Sequence, residues 1–371
     1  MRLTSLDVFR GIAIAGMILV NNPGSWTHVY PPLLHAEWHG YTPTDLVFPF
    51  FLFIVGVAMA FSLRKYAKEN RTLEQYLPRH LYLRIFRRFL ILFSLGLLLN
   101  GFPNYDLSTL RIMGVLQRIS VAYLFSAIAI FNFSRKQLRL LFLLILLGYW
   151  GMMQMIPVPE YGAGNLTPEG NLGAYIDKMI LGINHLWRGG PYDPEGLFST
   201  IPAIATVLIG YITGDWLKQQ SIKTETSIRL IIMGLSFLII GHLWSFLFPI
   251  NKALWTSSYV LVTGGWALLL LTICYEIIEV RGWRKWAYPF KIMGLNSIFL
   301  FVASGWVGRI LIYTHIGNST DAPTTKTWIY EKAFQSWAGS LNGSFFFALT
   351  TLLFWWLISY GMYHKGWFLK I

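Results

Sequence analysis

The sequence predicts an all-α, polytopic integral membrane protein, and two observations support this fold class. Of 371 residues, 55% are hydrophobic and 17% aromatic, whereas 13% are charged, well below the share expected of a soluble domain. Apolar stretches near the length of a bilayer-crossing helix also recur along the whole chain. We therefore expect one transmembrane domain over residues 1–371, with about ten membrane-spanning helices.

Each expected span is an apolar window bounded by polar or turn-forming residues. The windows lie near residues 6–22, 45–63, 86–102, 113–133, 138–157, 197–217, 228–249, 254–278, 288–313 and 343–363. The first window contains Asp7 and Arg10 near its start and no small-residue cleavage site, so we interpret it as a retained helix. An even number of crossings places both termini on one side of the membrane.

The distribution of basic residues predicts which side that is. With this topology, 22 of the 30 Lys and Arg residues fall in the tails and loops on the N-terminal side. Because cytoplasmic loops collect Lys and Arg, we expect both termini in the cytoplasm and loop 23–44 outside. Topology thus explains the net charge of +13, and we expect no nucleic-acid partner. The basic segment 64–88 is either an interfacial helix on anionic headgroups or a solvated topology anchor.

Cysteine usage limits the possible chemistry. The single cysteine, Cys274, lies inside an apolar window. It excludes an intrachain disulfide and a cysteine-based metal cluster, and we expect no metal site.

One stretch at an outer membrane edge concentrates titratable side chains: His35, Glu37, His39 and Asp45. A histidine can accept a proton or an acyl group near neutral pH, and a nearby carboxylate can fix its tautomer. Spacing alone also fits a plain surface or packing histidine. Asn21, at the outer end of the first span, could orient a carbonyl group or hold His35, and a helix-terminating cap is the alternative.

Arg118 lies beside Gln117 inside the fourth span, where an unpaired guanidinium is costly. We expect it to pair with a carboxylate, and Asp45, Asp193 and Glu195 are the candidates. The histidines toward the outside, His185 and His242, are expected to be hydrogen-bonded packing residues.

Segment 158–196 makes the outer face acidic, which would attract a cationic ligand. The aromatic residues of the outer face, Trp38, Trp187 and Tyr192, suit stacking against a sugar ring, although an ordinary interfacial belt explains them equally well.

Ordered motifs over nearly the whole chain resemble the heparan-alpha-glucosaminide N-acetyltransferase family. They are RLTSLDVFRGIA (2–13), the His35 stretch running into DLVFPFFLFIVG (45–56), GVLQR (114–118), AYID (174–177) through His185, DPEG (193–196), NKALW (251–255) and GLNS (294–297). Several motifs in a fixed order are far more specific than any one of them. Two features differ from the family pattern: Glu37 and His39 stand where we expect uncharged residues, and the N-terminal luminal domain of the animal enzyme is not expected here.

The resemblance implies that acetyl-CoA is engaged from the cytoplasm and that its acetyl group reaches a glucosamine amine on the other side. His35 takes the place of the family's catalytic histidine, as a base or a transient acetyl carrier, with Asp45 or Glu37 orienting it. The expected structural or substrate-side positions are Arg118, Gln117, His185, Asp193, Glu195 and Asn296. A multi-pass protein of the bacterial inner membrane, and a homodimer by family analogy, are also implied.

The phosphates of CoA should prefer the basic cytoplasmic face. Candidate contacts are Arg10, Arg64, Lys65, Arg87 and Arg88, although positive-inside topology alone also explains these residues. The acceptor is expected to be an amino sugar or glycan. Two alternative functions also fit the sequence: a membrane transporter of N-acetylglucosamine or a related sugar, and an O-acetyltransferase of an envelope glycan.

Overall fold

Helices make up most of the chain. The computed structural model describes residues 3–68, 78–317 and 322–369, and no β-strand forms within these ranges. The α-helices in them are α1 Thr4–Asn21, α2 Pro43–Ser62, α3 Arg79–Gly101, α4 Val115–Asn132, α5 Arg135–Met155, α6 Leu172–Leu181, α7 Thr200–Leu217, α8 Thr224–Trp244, α9 Ser257–Tyr275, α10 Tyr288–Leu295, α11 Ser297–Tyr313, α12 Thr325–Tyr330 and α13 Ser336–His364. Five-residue π-helical turns follow α9 and precede α13. The predicted all-α class is confirmed.

The membrane-spanning character of the chain rests on long apolar helices. Within the described residues, eight helical segments are long and apolar enough to cross a bilayer: Thr4–Asn21, Pro43–Tyr66, Val115–Asn132, Arg135–Met155, Thr200–Leu217, Thr224–Trp244, Ser257–Val280 and Thr325–His364. A ninth crossing results if the pair α10 and α11, bent by 79°, counts as one broken span. The polytopic architecture is therefore confirmed with eight or nine such spans.

The remaining expected span corresponds to α3, a 23-residue helix that begins at Arg79, before the predicted start at 86. It is not among the apolar spans, because its first half carries Arg84, Arg87 and Arg88. Charges of this kind are costly in hydrocarbon and belong at headgroup level, where long basic side chains can reach water. Of the basic segment 64–88, residues 69–77 lie outside the described part; the rest forms a short turn, Arg64–Tyr66, and the start of α3.

The first and last described helices bring their ends together at one end of the bundle. Helix α10 packs so tightly on the start of α1 that a Cβ added to Gly294 would overlap the Asp7 carbonyl oxygen. Asn296, at the α10–α11 bend, donates to the Trp367 carbonyl at 2.9 Å and accepts from the Leu369 amide at 3.0 Å. We call this region the termini end, and the opposite region, where α1 ends and α2 begins, the His35 end.

Helices α2, α7 and α9 form the centre of the bundle. Most residues of α7 and α9 are buried, and α2 lies in contact with both. Helices α5 and α8 instead expose most of their apolar side chains, as Leu143 and Ile239 illustrate. In a membrane protein this outer surface faces lipid, so the two helices form the periphery around the packed α2–α7–α9 core.

Candidate active site

His35 and Asp45 form the central pair of the site. His35 lies in the loop before α2 with its side chain 48% exposed, whereas Asp45, in the first turn of α2, is only 1% exposed. The imidazole Nδ1 is 2.6 Å from Asp45 Oδ1. Two acceptors would repel each other at this distance, so Nδ1 carries a proton and donates it to the carboxylate. When the ring is neutral, its Nε2 therefore keeps a free lone pair at an accessible position.

The start of α2 holds the Asp45 carboxylate in place. Its second oxygen, Oδ2, accepts the backbone N–H of Ala36 and of Thr42, each at 3.0 Å. The Thr42 contact satisfies a backbone donor at the N-cap, where a helix leaves its N–H groups without intrahelical partners. Tyr259 of α9 donates its hydroxyl to the Asp45 backbone carbonyl at 2.6 Å. The residue that bonds His35 is thus held both by its own helix start and by a tyrosine of the core.

Lys252 is a third member of the site, and its role was not predicted from the sequence. Its Nζ lies 3.2 Å from Asp45 Oδ1 and 3.0 Å from His35 Nδ1. Lys252 and His35 are 217 residues apart in the sequence, so their contact could not be predicted from the spacing of residues. A signal was nevertheless present, because Lys252 is one of the few basic residues on the predicted outer side and belongs to the motif at 251–255.

The loop that carries Lys252 is bound to the loop that carries His35. The Asn251 side chain donates to the Trp38 carbonyl at 2.9 Å, and the Gly40 N–H donates to the Ile250 carbonyl at 2.7 Å. Gly40 has a φ of 93°, which a glycine adopts without strain. These contacts fix the position of Lys252 relative to His35.

A second cluster of charges lies beside this site. Arg111, in the loop between α3 and α4, binds Asp193 through Nε–Oδ2 at 2.8 Å and Nη2–Oδ1 at 2.5 Å. Its Nη2 also contacts Glu195 Oε2 at 2.6 Å. Although burial opposes it, the positive charges of Arg111 and Arg118 lower the pKa of Glu195. Glu195 also interacts electrostatically with Lys252, so this cluster borders the His35 site.

Arg118 does not pair with a carboxylate in the way the sequence led us to expect. It is fully buried in α4, and Nη2 donates to the Gly196 carbonyl at 3.2 Å and to the Ser199 hydroxyl. Its guanidinium lies over the Trp255 ring, 4.9 Å from the centroid. The expected partners Asp193 and Glu195 are bound by Arg111 instead. Neutral oxygens and a ring face replace the expected ion pair.

Asp177, in α6, belongs to the same region. Its Oδ1 accepts the Phe198 amide at 3.0 Å, and a Cβ added to Gly196 would overlap its Oδ2, so only glycine fits there. Burial raises the pKa of Asp177 to about 6. The end of the α6–α7 connection is therefore shaped around a carboxyl group that gains a proton in mildly acidic solution.

Three half-buried aromatic rings border the site. The rings of Trp38 and Tyr192 meet edge to face with centroids 4.9 Å apart, and Trp187 lies 6.3 Å from Tyr192. The Trp38 indole donates to the Leu166 carbonyl at 2.9 Å, which ties the His35 loop to segment 158–196. The acidic and aromatic residues noted in the sequence are therefore assembled at the His35 end.

Other outer residues singled out in the sequence lie apart from the imidazole. Glu37 is exposed, and within the described residues the carboxylate bonded to His35 is that of Asp45. Asn21 is exposed at the end of α1. Gln117 is buried under Gly96 at the α3–α4 contact. His185 and His242 contact the carbonyls of Leu110 and Leu238 through Nδ1, each at 2.8 Å.

The candidate CoA-binding residues lie at the opposite end of the bundle. Arg10 contacts Asp7 Oδ1 at 3.3 Å and the Gly294 carbonyl at 3.4 Å, and Arg88 stacks on Tyr123 at 4.7 Å. Others of the set are at the same end: Arg64 and Lys65 just after α2, and Arg87 in the first half of α3. Asn296 also lies here, away from His35, and of its two expected roles its backbone contacts fit the structural one.

The fold and the site define a polytopic helical membrane protein with a histidine–carboxylate–lysine centre at one end and a basic opposite end. Residues 2–248 match the catalytic model of the heparan-alpha-glucosaminide N-acetyltransferase family, and this chain belongs to that family. It is 31% identical to heparan-alpha-glucosaminide N-acetyltransferase of Homo sapiens over 358 residues and 31% identical to that of Mus musculus over 357. Each alignment covers 81% of this chain but 52% and 53% of those proteins, so the chain spans about half their length.

Proposed function

We propose that this protein transfers an acetyl group from acetyl-CoA to the amine of a glucosamine-type sugar, with His35 as the base or acetyl carrier. Family membership supports an acetyltransferase, and the names of the human and mouse relatives supply the acceptor class. The observation that carries the proposal is the 2.6 Å contact between His35 Nδ1 and Asp45. It leaves Nε2 free, which both chemical roles require.

The first role is general base catalysis. A sugar ammonium must lose a proton before it can attack a carbonyl, and Nε2 of His35 takes that proton. The amine nitrogen then bonds to the thioester carbon, the carbon–sulfur bond breaks, and the nitrogen loses its second proton, which the departing CoA thiolate takes up. Asp45 stabilises the imidazolium that exists between these events, in the manner of the carboxylate in hydrolytic triads.

The second role is nucleophilic catalysis. Here Nε2 bonds to the thioester carbon, the carbon–sulfur bond breaks, and CoA leaves before the sugar reacts. The neutral amine then attacks the acetylated imidazole, the nitrogen–carbon bond to His35 breaks, and the proton that the amine nitrogen loses passes to the freed Nε2. Asp45 again stabilises the positive charge of the ring, so the geometry supports both routes.

The donor would approach from the termini end. The phosphates of CoA are anionic, and the side chains of Arg10, Arg64, Lys65, Arg87 and Arg88 give that end matching charge. Helix α1 has 18 residues, so about 27 Å separate its two ends. The pantetheine arm or the acetyl group must therefore traverse much of the bundle to reach His35.

The acceptor would bind at the His35 end. The rings of Trp38, Tyr192 and Trp187 offer apolar faces for a sugar, and the Asp193 and Glu195 carboxylates, both bound by Arg111, lie in the same region. A sugar stacks its apolar face on aromatic rings and bonds its polar groups to carboxylates. An amino sugar, which has an apolar ring face and polar substituents, suits this combination of aromatic rings and carboxylates.

The test is acetyl transfer from labelled acetyl-CoA to glucosamine by the purified protein. We expect His35→Ala to lose on the order of a hundredfold to ten-thousandfold in rate, the usual contribution of a catalytic acid or base. His28→Ala is the matched control, because His28 lies exposed in the same loop and bonds a neighbouring threonine. Melting temperatures confirm that both variants are folded.

The product and the timing of label decide between the alternatives. Label that resists hydroxylamine is on nitrogen, whereas labile label indicates an ester and O-acetylation. Label held on the protein before sugar is added supports the acetyl-carrier route. Sugar flux through proteoliposomes in the absence of acetyl-CoA, with no acetyl transfer, would contradict the enzyme and favour a transporter.

A further inference from the structure

We propose that Lys252 is a positioning residue that offsets the charge of Asp45 and so keeps the His35 ring neutral, with Nε2 free to react. The inference rests on the proposed role of His35. The observation behind it is that one carboxylate oxygen, Asp45 Oδ1, is shared by two donors: His35 Nδ1 at 2.6 Å and Lys252 Nζ at 3.2 Å.

The arrangement permits one consistent assignment of protons. An ammonium group has only donors, and Lys252 Nζ also lies 3.0 Å from His35 Nδ1. If Lys252 donated to Nδ1, the lone pairs of Nδ1 and Oδ1 would face each other at 2.6 Å, which is repulsive. Both the ring and the ammonium therefore donate to Asp45, and two positively polarised groups meet at its oxygen.

The presence of two donors at Asp45 Oδ1 affects the charge of the His35 ring. A buried carboxylate in contact with a histidine favours the imidazolium, because opposite charges attract strongly where water is scarce. An imidazolium has no free lone pair and can act neither as a base nor as a nucleophile. A lysine ammonium 3.0 Å from the ring opposes a second positive charge there. Asp45 can then orient the ring without trapping it in the charged form.

The remaining charged groups around the ring do not replace this effect. Glu195, beyond Lys252, is already bound by Arg111. On the His35 loop itself, Glu37 is exposed and His39 lies near the Asn251 side chain. Among the described residues, Lys252 is the cation in direct contact with both Asp45 and the His35 ring.

The position of Lys252 is built by the fold. Its neighbours Asn251 and Ile250 are bonded to the His35 loop, and Asn251 also accepts the Leu254 amide at 2.8 Å through its side chain. The Lys252 side chain is 21% exposed, so its charge is only partly screened by solvent. A solvated surface lysine would have little influence on its neighbours.

The experiment measures the pH dependence of kcat/KM in Lys252→Met, Lys252→Arg and Lys332→Met. The methionine variant preserves most of the side-chain length but removes the charge, and arginine retains the charge. Lys332 is exposed at the same end of the bundle and serves as the matched control. In Lys252→Met, we expect the acid limb of the kcat/KM profile to move upward by at least about one pH unit. On that limb kcat/KM should fall roughly tenfold, and it should recover at high pH. The arginine and control variants should follow the wild-type profile.

A second readout does not depend on acetyl transfer. Diethylpyrocarbonate modifies the neutral imidazole, and mass spectrometry quantifies the modification of His35 as a function of pH. The half-maximal pH of His35 modification should rise in Lys252→Met by the same amount as the kinetic limb. An unchanged half-maximal pH, or a uniform loss of activity at all pH values, would overturn the role of Lys252. If His35→Ala remained active while the modification curve moved as expected, the proposed function would fail and the inference about Lys252 charge would stand.

Discussion

At the scale of single residues, the carboxyl group of Asp177 makes the stability of the protein depend on pH. Its pKa of about 6 is above the ordinary value because of burial. A raised pKa means that the folded state holds the proton more tightly, so the stabilisation is present below about pH 4 and is lost as pH rises through about 6. The loss is on the order of 3 kcal/mol, at about 1.4 kcal/mol per pH unit.

Asp177→Asn should therefore flatten the dependence of melting temperature on pH between about 4 and 6. Asparagine keeps one oxygen for the Phe198 amide, although its absolute melting temperature will fall because a second acceptor is lost. Asp106→Asn is the control, since Asp106 is an exposed loop residue whose pKa is lowered by Ser108 and Thr109. If the melting temperature of Asp177→Asn depended on pH as steeply as that of the wild type, the raised pKa of Asp177 would be contradicted.

Only some of the side-chain contacts in the site could be predicted from the sequence. His35 and Asp45 are ten residues apart at a helix start, so local spacing and the capping position indicated their proximity. Lys252 and Arg111 reach their partners through loops that are distant in sequence, and no periodic pattern encodes such contacts. Arg118 illustrates the same limit: the cost of burying its charge was predictable, but a carbonyl, a hydroxyl and the Trp255 ring were not foreseeable as partners.

At the scale of helices, the contact of α1 with α10 depends on a residue without a side chain. A Cβ added to Gly11 would overlap the Phe290 carbonyl oxygen, which belongs to the backbone and cannot turn away. Gly11→Ala should therefore lower the melting temperature, with a cost of about 1–3 kcal/mol or more that is typical of overpacking.

Gly148→Ala is the matched control for this helix contact. Gly148 lies within α5, and an added Cβ would have nothing within 4 Å. Alanine favours helix over glycine by about 0.5–1 kcal/mol, so this variant should melt at the same temperature or higher. Equal melting temperatures for the two variants in the same detergent would show that α10 yields easily and that the contact is not tight.

The helices themselves were well predicted because apolar length is a strong signal. The exception was α3, where the arginine-rich first half belongs to the same helix as the apolar half. A hydropathy window separates the two, since it detects apolar character and not backbone hydrogen bonding. The sharp bend between α10 and α11 was also missed, because both pieces are apolar and the change of direction occurs at Asn296.

At the scale of the whole molecule, the orientation in the membrane remains a prediction from the distribution of basic residues. It can be tested in a Cys274→Ser background, because the chain has one cysteine. A cysteine introduced at exposed Glu37, at the His35 end, should react with an impermeant maleimide on intact cells. A cysteine at Trp283, which is 70% exposed in the loop after α9, should react only after permeabilisation.

The reverse labelling pattern would place the His35 end in the cytoplasm. It would then remove the need for acetyl transfer across the bilayer, since donor and imidazole would share one compartment. The geometry within the bundle would be unaffected, because the separation of the basic and His35 ends follows from helix contacts and not from the membrane.

Because of the hydrogen bonds at the beginning of α2, the position of the His35 ring depends on whether the first turn of this helix is folded. The carboxylate that receives the Thr42 amide also receives the imidazole, so unwinding this turn releases the His35 ring along with the backbone. Unfolding of these few residues would abolish the proposed acetyl transfer while most of the bundle stayed folded. We therefore expect activity to be lost on heating at a lower temperature than the bundle unfolds, because the first turn of α2 can fray by itself.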